Sequence, residues 1–221
     1  MWTLSLATKS SYLELQDKIQ KRLRDLHSSA DPDGRLLPRA RPHFITKPQA
    51  HHQEQIQRLI VRSFDPEITA RPVYRLRSKK SALPSLDRVC VDSNGQITGS
   101  LQFYRVAFAA PHQDAFEGVR NRMLILGPLA VAARDRGKGI AHKLIERGLH
   151  EARARGYGLC FVVGDPKLYR AHGFCNAFGQ GFELTGQNDN RRFLVAELEK
   201  GVMPKVGASR ISLVPATSAL V

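Results

Sequence analysis

The six residues Arg136-Gly137-Lys138-Gly139-Ile140-Ala141 combine two glycines with two cations. They lie between an apolar, strand-like run and a periodic helical run. A turn at that junction leaves successive backbone N–H groups unpaired at the positive end of a helix, a setting that suits a phosphate. Glycine lets the backbone come close to such a ligand. Two other phosphate loops fit less well. A dinucleotide fingerprint needs glycine where His142 stands, and a P-loop needs Ser or Thr after Lys138, where Gly139 stands. The bare pattern, Gln or Arg then x-x-Gly-x and Gly or Ala, arises by chance in roughly one chain in five of this length. Its placement therefore carries the argument. Farther on, Gly164 to Phe174 sets Asp165 and Pro166 as the N-cap and first residue of a short helix, with Tyr169 as a phenol that could donate a proton. His142, Glu146 and His150 recur at i, i+4, i+8, a spacing open to a metal ion. A solvated helix face is the weightier reading, so no metal is expected. His51 and His52 open a helix and are expected to be exposed.

The elements that must position these residues follow an α/β pattern from His43 onward. A short strand at His43 to Thr46 precedes a helix beginning near Gln49, where Ile56, Leu59, Ile60 and Phe64 recur at helical spacing until Asp65-Pro66. After a basic, irregular stretch, Arg88 to Val91 and Gln96 to Val106 read as an antiparallel pair across the Asn94-Gly95 turn. Met123 to Val131 is an apolar strand broken by Gly127-Pro128, where proline cannot donate to the ladder and a bulge or splay is expected. The helix after the turn lines up Ile140, Leu144, Ile145, Leu149 and Ala152, with Gly156 as its cap. Leu159 to Val163 reads as a buried strand, and Gly181 to Thr185 and Phe193 to Leu198 as two more.

With 221 residues, 42% hydrophobic and 24% charged, the chain can bury one core and carry a small appendage. Residues 1–41 form that appendage: an amphipathic helical pattern (Leu13, Leu15, Ile19, Leu23, Leu26 among Lys and Arg) followed by a basic linker. Residues 42–200 form the main domain and 201–221 a tail without clear period. The 34 Lys plus Arg against 20 Asp plus Glu leave a net charge of +14. That favours a polyanionic partner, either nucleic acid through the basic N-terminal segment or a cofactor with several phosphates. Basic stretches interleaved with aromatics, which stack bases, are missing, and this weighs against a single-strand binder. No apolar run approaches the roughly 18 residues of a membrane helix, and Met1 to Ser11 is too short and polar for a signal peptide. A cytoplasmic protein is expected. Cys90, Cys160 and Cys175 form no C-x-x-C pair and read as core thiols.

Leu126-Gly127-Pro128-Leu129-Ala130-Val131, Arg136 to Ala141, Gly164-Asp165-Pro166 and Tyr169 to Phe174 together resemble the GNAT superfamily of N-acetyltransferases, nearest its bacterial predicted N-acetyltransferase branch. The likeness spans about His43 to Lys200. It implies a mixed sheet, flanked by helices, whose two central parallel strands splay to admit acetyl-coenzyme A. It also implies that the backbone of Leu129, Ala130 and Val131 pairs with the pantetheine arm. Arg136, Gly137, Lys138, Gly139, Ile140, Ala141 and His142 would then hold the pyrophosphate. Tyr169 matches the family's proton donor to the leaving thiolate, and a free N–H at Leu129 or its neighbours would serve the oxyanion. The acceptor would be a primary amine. Relatives often place a carboxylate base on the strand that here reads Leu124 to Val131 and holds none, which leaves His112, Asp114, Glu117 or an ordered water for that role. The alternative is a basic nucleic-acid-binding protein that keeps the fold without the reaction.

Overall fold

The computed structural model describes residues 42–109, 119, 122–203 and 210–216. Pro42–Val221 form one compact unit. The N-terminal segment 1–41, expected as helix and linker, lies outside the described residues. Among the described residues there are nine strands: β1 (His43–Thr46), β2 (Arg88–Asp92), β3 (Ile97–Phe108), β4 (Met123–Val131), β5 (Leu159–Val163), β6 (Cys175–Asn176), β7 (Phe182–Glu183), β8 (Phe193–Glu197) and β9 (Ile211–Pro215). The α-helices are α1 (Gln53–Ser63), α2 (Ile140–Ala154) and the short α3 (Pro166–Tyr169). The sheet runs β1-β2-β3-β4-β5-β8-β6, with β9 joining β3 and β7. β4 and β5 are parallel, as are β7 and β9. The mixed, helix-flanked sheet expected from the sequence is therefore the fold.

Local chemistry explains most element boundaries. In the β2–β3 hairpin, Asp92 Oδ1 accepts from the N–H groups of Asn94 (2.9 Å) and Gln96 (3.0 Å), and Gly95 takes φ 74. Asp165 caps α3 by accepting from Lys167 N–H at 2.9 Å, with Pro166 as the first helical residue. One segment differs from expectation. Within 201–221, Ile211–Pro215 forms β9, which continues the sheet from the far end of β3 through Val106, Ala107 and Phe108. Its alternation buries only Ile211 and Leu213, too few residues for a period to stand out in sequence. Cys90 and Cys160 are buried as expected, whereas Cys175 is exposed on the two-residue β6.

The two faces of the sheet carry separate cores. α2 presents Ile140, Leu144, Ile145, Leu149 and Ala152 to Leu101, Phe103, Leu124 and Leu126. Each fully buried Leu or Ile there contributes about 1.5–3 kcal/mol. Gly148 lets the helix approach this closely: a Cβ at that position would lie 2.7 Å from the Phe103 ring, itself fully buried. The opposite face gathers Phe108, Phe161, Phe182 and Phe193, with Phe161 stacked on Phe193 and edge-on to Phe182.

Asp87, just before β2, is a carboxyl held largely away from water. Its Oδ1 accepts from Phe103 N–H at 3.0 Å, yet burial pushes its carboxyl up to about 7 against the opposing pull of that hydrogen bond and of Arg88. Between about pH 4 and 7 the folded chain holds a proton that the unfolded chain has released, so stability falls as pH rises through that window. Asp87→Asn keeps an oxygen acceptor for Phe103 and removes the titration. The variant is expected to be more stable than wild type at pH 8, on the order of 1–3 kcal/mol, and nearly equal to it at pH 4. Urea unfolding at both pH values checks this, and parallel pH profiles would show that Asp87 is not the cause.

Candidate active site

β4 and β5 begin as neighbours and then part. Their parallel pairing covers only Met123, Leu124 and Ile125 opposite Leu159, Cys160 and Phe161. Beyond that point β4 stays with β3 as far as Val131, while β5 stays with β8 as far as Phe193. The break falls where the sequence placed it, at Gly127-Pro128. There the peptide is cis, Gly127 takes φ 119, and the β3 register shifts between Leu101 and Phe103. Alternation along the antiparallel ladder then assigns the free backbone groups. Ala132 N–H donates to Thr98 O at 2.8 Å, and Val131 lies opposite Gly99. Ala130 and Ala132 thus bond to β3, and the N–H groups of Leu129 and Val131 point into the gap. Ala130, grouped with them in the sequence reading, turns its backbone to β3 and buries its side chain under α1.

At the upper end of the gap, the turn between β4 and α2 is held from below. The Asp135 carboxylate, 5% exposed, accepts from Lys138 Nζ at 2.7 Å and Arg134 Nε at 3.2 Å, and lies 3.4 Å from His43 Nε2. Burial opposes ionisation there, but these cations outweigh it and hold the carboxyl below its ordinary range. The backbone then turns through Gly137 (φ 78) and Gly139 (φ 74), left-handed conformations that favour glycine. Among the described residues, the N–H groups from Gly137 to His142 have no protein acceptor, and no side chain caps α2. Six unbonded donors at a helix N-terminus make a cradle with the chemistry to hold a phosphate. Lys138 contributes its N–H to that row while its ammonium serves Asp135. Ile140 likewise offers only backbone, since its side chain is in the core. The Arg136 side chain folds back, with Nε donating to Val131 O at 3.4 Å.

Tyr169 closes the lower end. Its ring is 5% exposed, edge-on to Phe174 at 5.5 Å, and rests on Gly164, where a Cβ would collide with the ring. Burial pushes the phenol above its ordinary pKa, against the opposing charge of Arg77, so it is protonated at neutral pH. Tyr169 lines a cavity of about 170 Å³ with Gly127, Pro128, Leu129, Gly164 and Arg77. Leu129 and Tyr169 thus face one space.

The other candidates fall elsewhere. His142, Glu146 and His150 are exposed on α2, and His142 Nδ1 sits 2.9 Å from His172 Nε2. His51 is exposed, as expected, but His52 is buried, with Nδ1 accepting from Gln49 N–H at 3.1 Å. His112, Asp114 and Glu117 lie outside the described residues. Sequence reading passed over Arg77, Arg71 and Arg192, all lining the cavity. Arg77 belongs to a run, Arg75-Leu76-Arg77-Ser78-Lys79-Lys80, that reads as a solvated basic stretch, and nothing in its spacing distinguishes the inward residue.

Residues 45–177 match the family model for the acetyltransferase (GNAT) domain. The chain is 32% identical over 136 residues to the N-acetyltransferase YhbS of Escherichia coli strain K12, covering 62% of this chain and 71% of that one. It is 30% identical over 132 residues to the N-acetyltransferase YjhQ of the same strain, covering 60% and 67%. Among solved structures, E. coli YhbS in complex with CoA superposes with a TM-score of 0.64 at 25% identity over 80% of this chain and 93% of that one. A GNAT family acetyltransferase from Brucella melitensis in complex with acetyl-CoA does so with a TM-score of 0.54 at 21% identity, over 81% and 99%, which speaks to the fold.

Proposed function

The chain belongs to the GNAT acetyltransferase family, and on that premise we propose that it moves the acetyl group of acetyl-coenzyme A to a primary amine by direct attack on the thioester. The observation that carries this reading is the continuous path from the six unbonded N–H groups at Gly137 to His142, along the open edge of β4, to Tyr169. The residues present suit the donor at each point. The cradle receives the pyrophosphate, and the Leu129 C=O and Val131 N–H bond the amides of the pantetheine arm as an added strand would, which leaves the Leu129 N–H free. A groove of about 600 Å³ beside the turn, lined by Arg58, Arg62, Arg134 and Arg136 among others, draws further phosphate charge.

The chain's own groups then divide the chemistry. As the amine nitrogen forms its bond to the carbonyl carbon, negative charge grows on the carbonyl oxygen, and the Leu129 N–H stabilises it. When the C–S bond breaks, the thiolate takes the Tyr169 proton, and the proton that the attacking nitrogen sheds passes to water, from which the phenol is restored. A panel of small amines and peptide amines with acetyl-coenzyme A, read by free thiol release, tests the reading. At about 100 times its dissociation constant the donor should stabilise the fold by about 2.7 kcal/mol, roughly 5–10 °C in melting temperature. An unchanged melting curve under saturating acetyl-coenzyme A would sink the enzyme reading.

A further inference from the structure

The cavity below the splay holds a cation that faces a tyrosine ring and, among the described residues, no carboxylate. Arg77 Nε is buried and without a hydrogen-bond partner, as is the hydroxyl of Tyr74, whose ring lies 4.6 Å from the Arg77 guanidinium carbon. No described carboxylate lies within ion-pairing distance of Arg77. The guanidinium is pressed against β4 at the splay itself: a Cβ on Gly127 would fall 2.6 Å from its Nη2. Burial lowers its pKa, with the tyrosines Tyr74, Tyr104 and Tyr169 opposing. A partly buried cation with no counter-charge is a cost to folding, which the Tyr74 ring offsets only in part. The cavity also takes in Arg71 and Arg192, both exposed, while the one acid among its described lining residues, Asp165, is exposed and occupied in capping α3. The phosphates of the donor belong to the cradle beyond Val131, at the opposite end of the gap. The acetyl thioester that reaches Tyr169 carries no charge. An anion at Arg77 must therefore arrive with the other reactant.

Resting on the acetyl-transfer reading above, we propose that the acceptor is a small amine that also carries a carboxylate, an amino acid or close analogue, and that Arg77 binds that carboxylate. Guanidinium and carboxylate match as a bidentate pair, and each charge-assisted hydrogen bond in a dry site is stronger than its neutral counterpart. The volume of about 170 Å³ lies below the roughly 300–1,000 Å³ of drug-sized pockets, which favours a single small molecule over a peptide segment. Arg71 and Arg192 at the rim would steer the anion inward. Arg77 acts here as a specificity residue: it holds the acceptor and takes no part in the bond changes.

The experiment uses the full chain, wild type and Arg77→Gln, with acetyl-coenzyme A. The panel consists of the common amino acids and their carboxamides, read by thiol release. At least one amino acid should show kcat/KM about 10²-fold or more above its amide, mainly through KM, because a site with a buried charge discriminates sharply against a ligand that leaves it unpaired. Arg77→Gln should bring that ratio close to one without lowering the melting temperature, and Arg77→Lys should restore part of it. Amides used as well as acids by wild type, or a preference that survives Arg77→Gln, would overturn the proposal. So would a melting temperature that falls in Arg77→Gln together with equal losses on acids and amides, which is the behaviour of a structural arginine. A parallel arm offers succinyl-coenzyme A with neutral amines. A preference for that donor, lost in Arg77→Gln, would place the carboxylate on the acyl group and overturn the acceptor assignment. Donor binding is measured separately by melting shift. If acetyl-coenzyme A binds and no panel member reacts, the amino-acid acceptor is rejected while the transferase reading stands; if it fails to bind, both fall.

Discussion

Tyr169→Phe is expected to lower turnover by about 10² or more while the dissociation constant of acetyl-coenzyme A changes by less than about twofold. The substitution keeps the ring that rests on Gly164 and packs edge-on to Phe174, so the local structure has no reason to move. What it removes is a hydroxyl on a ring facing the cavity beside Leu129. Because burial pushes the phenol above its ordinary value, its proton is present through neutral and mildly alkaline pH, where the amine becomes free to attack. The loss should therefore appear across the whole pH profile and not only on one limb. A tyrosine that merely filled the core would give another result: a small change in melting temperature and an unaltered rate per folded molecule. The deciding measurement is single-substrate turnover of the Phe variant beside its donor affinity and melting temperature. Full turnover would remove Tyr169 from the reaction and leave solvent to protonate the thiolate.

Gly139→Glu should weaken acetyl-coenzyme A binding by about 10² or more and abolish the donor-dependent rise in melting temperature. A Cβ at Gly139 meets nothing within 4 Å, so crowding by the protein is not the reason. Two other effects act. The left-handed backbone at φ 74 costs any L-residue about 1–2 kcal/mol. More important, the new carboxylate sits at the helix N-terminus, where it can accept from the N–H groups that the pyrophosphate needs and repel that ligand as a like charge. The same favourable position for an acid should offset part of the backbone strain, so the apo protein should remain folded. Gly139→Ala separates the two effects, since it carries the strain without the charge and is expected to lose less than about tenfold in affinity. Equal losses in both variants would show that backbone conformation alone governs the cradle.

Much of this site is legible in the chain because its signals are local. The Gly137–Gly139 turn, the Asn94-Gly95 hairpin, the Asp165-Pro166 helix start and the face Ile140, Leu144, Ile145, Leu149 and Ala152 all depend on residues within a few positions of one another. Turn chemistry and the 3.6-residue period report such arrangements directly. The proline in Met123–Val131 also placed the splay, since a missing N–H is a property of one residue. Three features required the tertiary structure. Which β4 amides stay free follows from the register with β3, and a shift of one residue would exchange Leu129 and Val131 for Ala130. The raised carboxyl of Asp87 follows from burial against Phe103, a neighbour on another strand. The turning of Arg77 toward Gly127 is likewise a contact between distant segments, made where β4 and β5 part. Burial and partner count decide the behaviour of a charge, and both are set by residues far away in sequence. The same six-residue basic run would read identically whether Arg77 faced water or the reacting molecule.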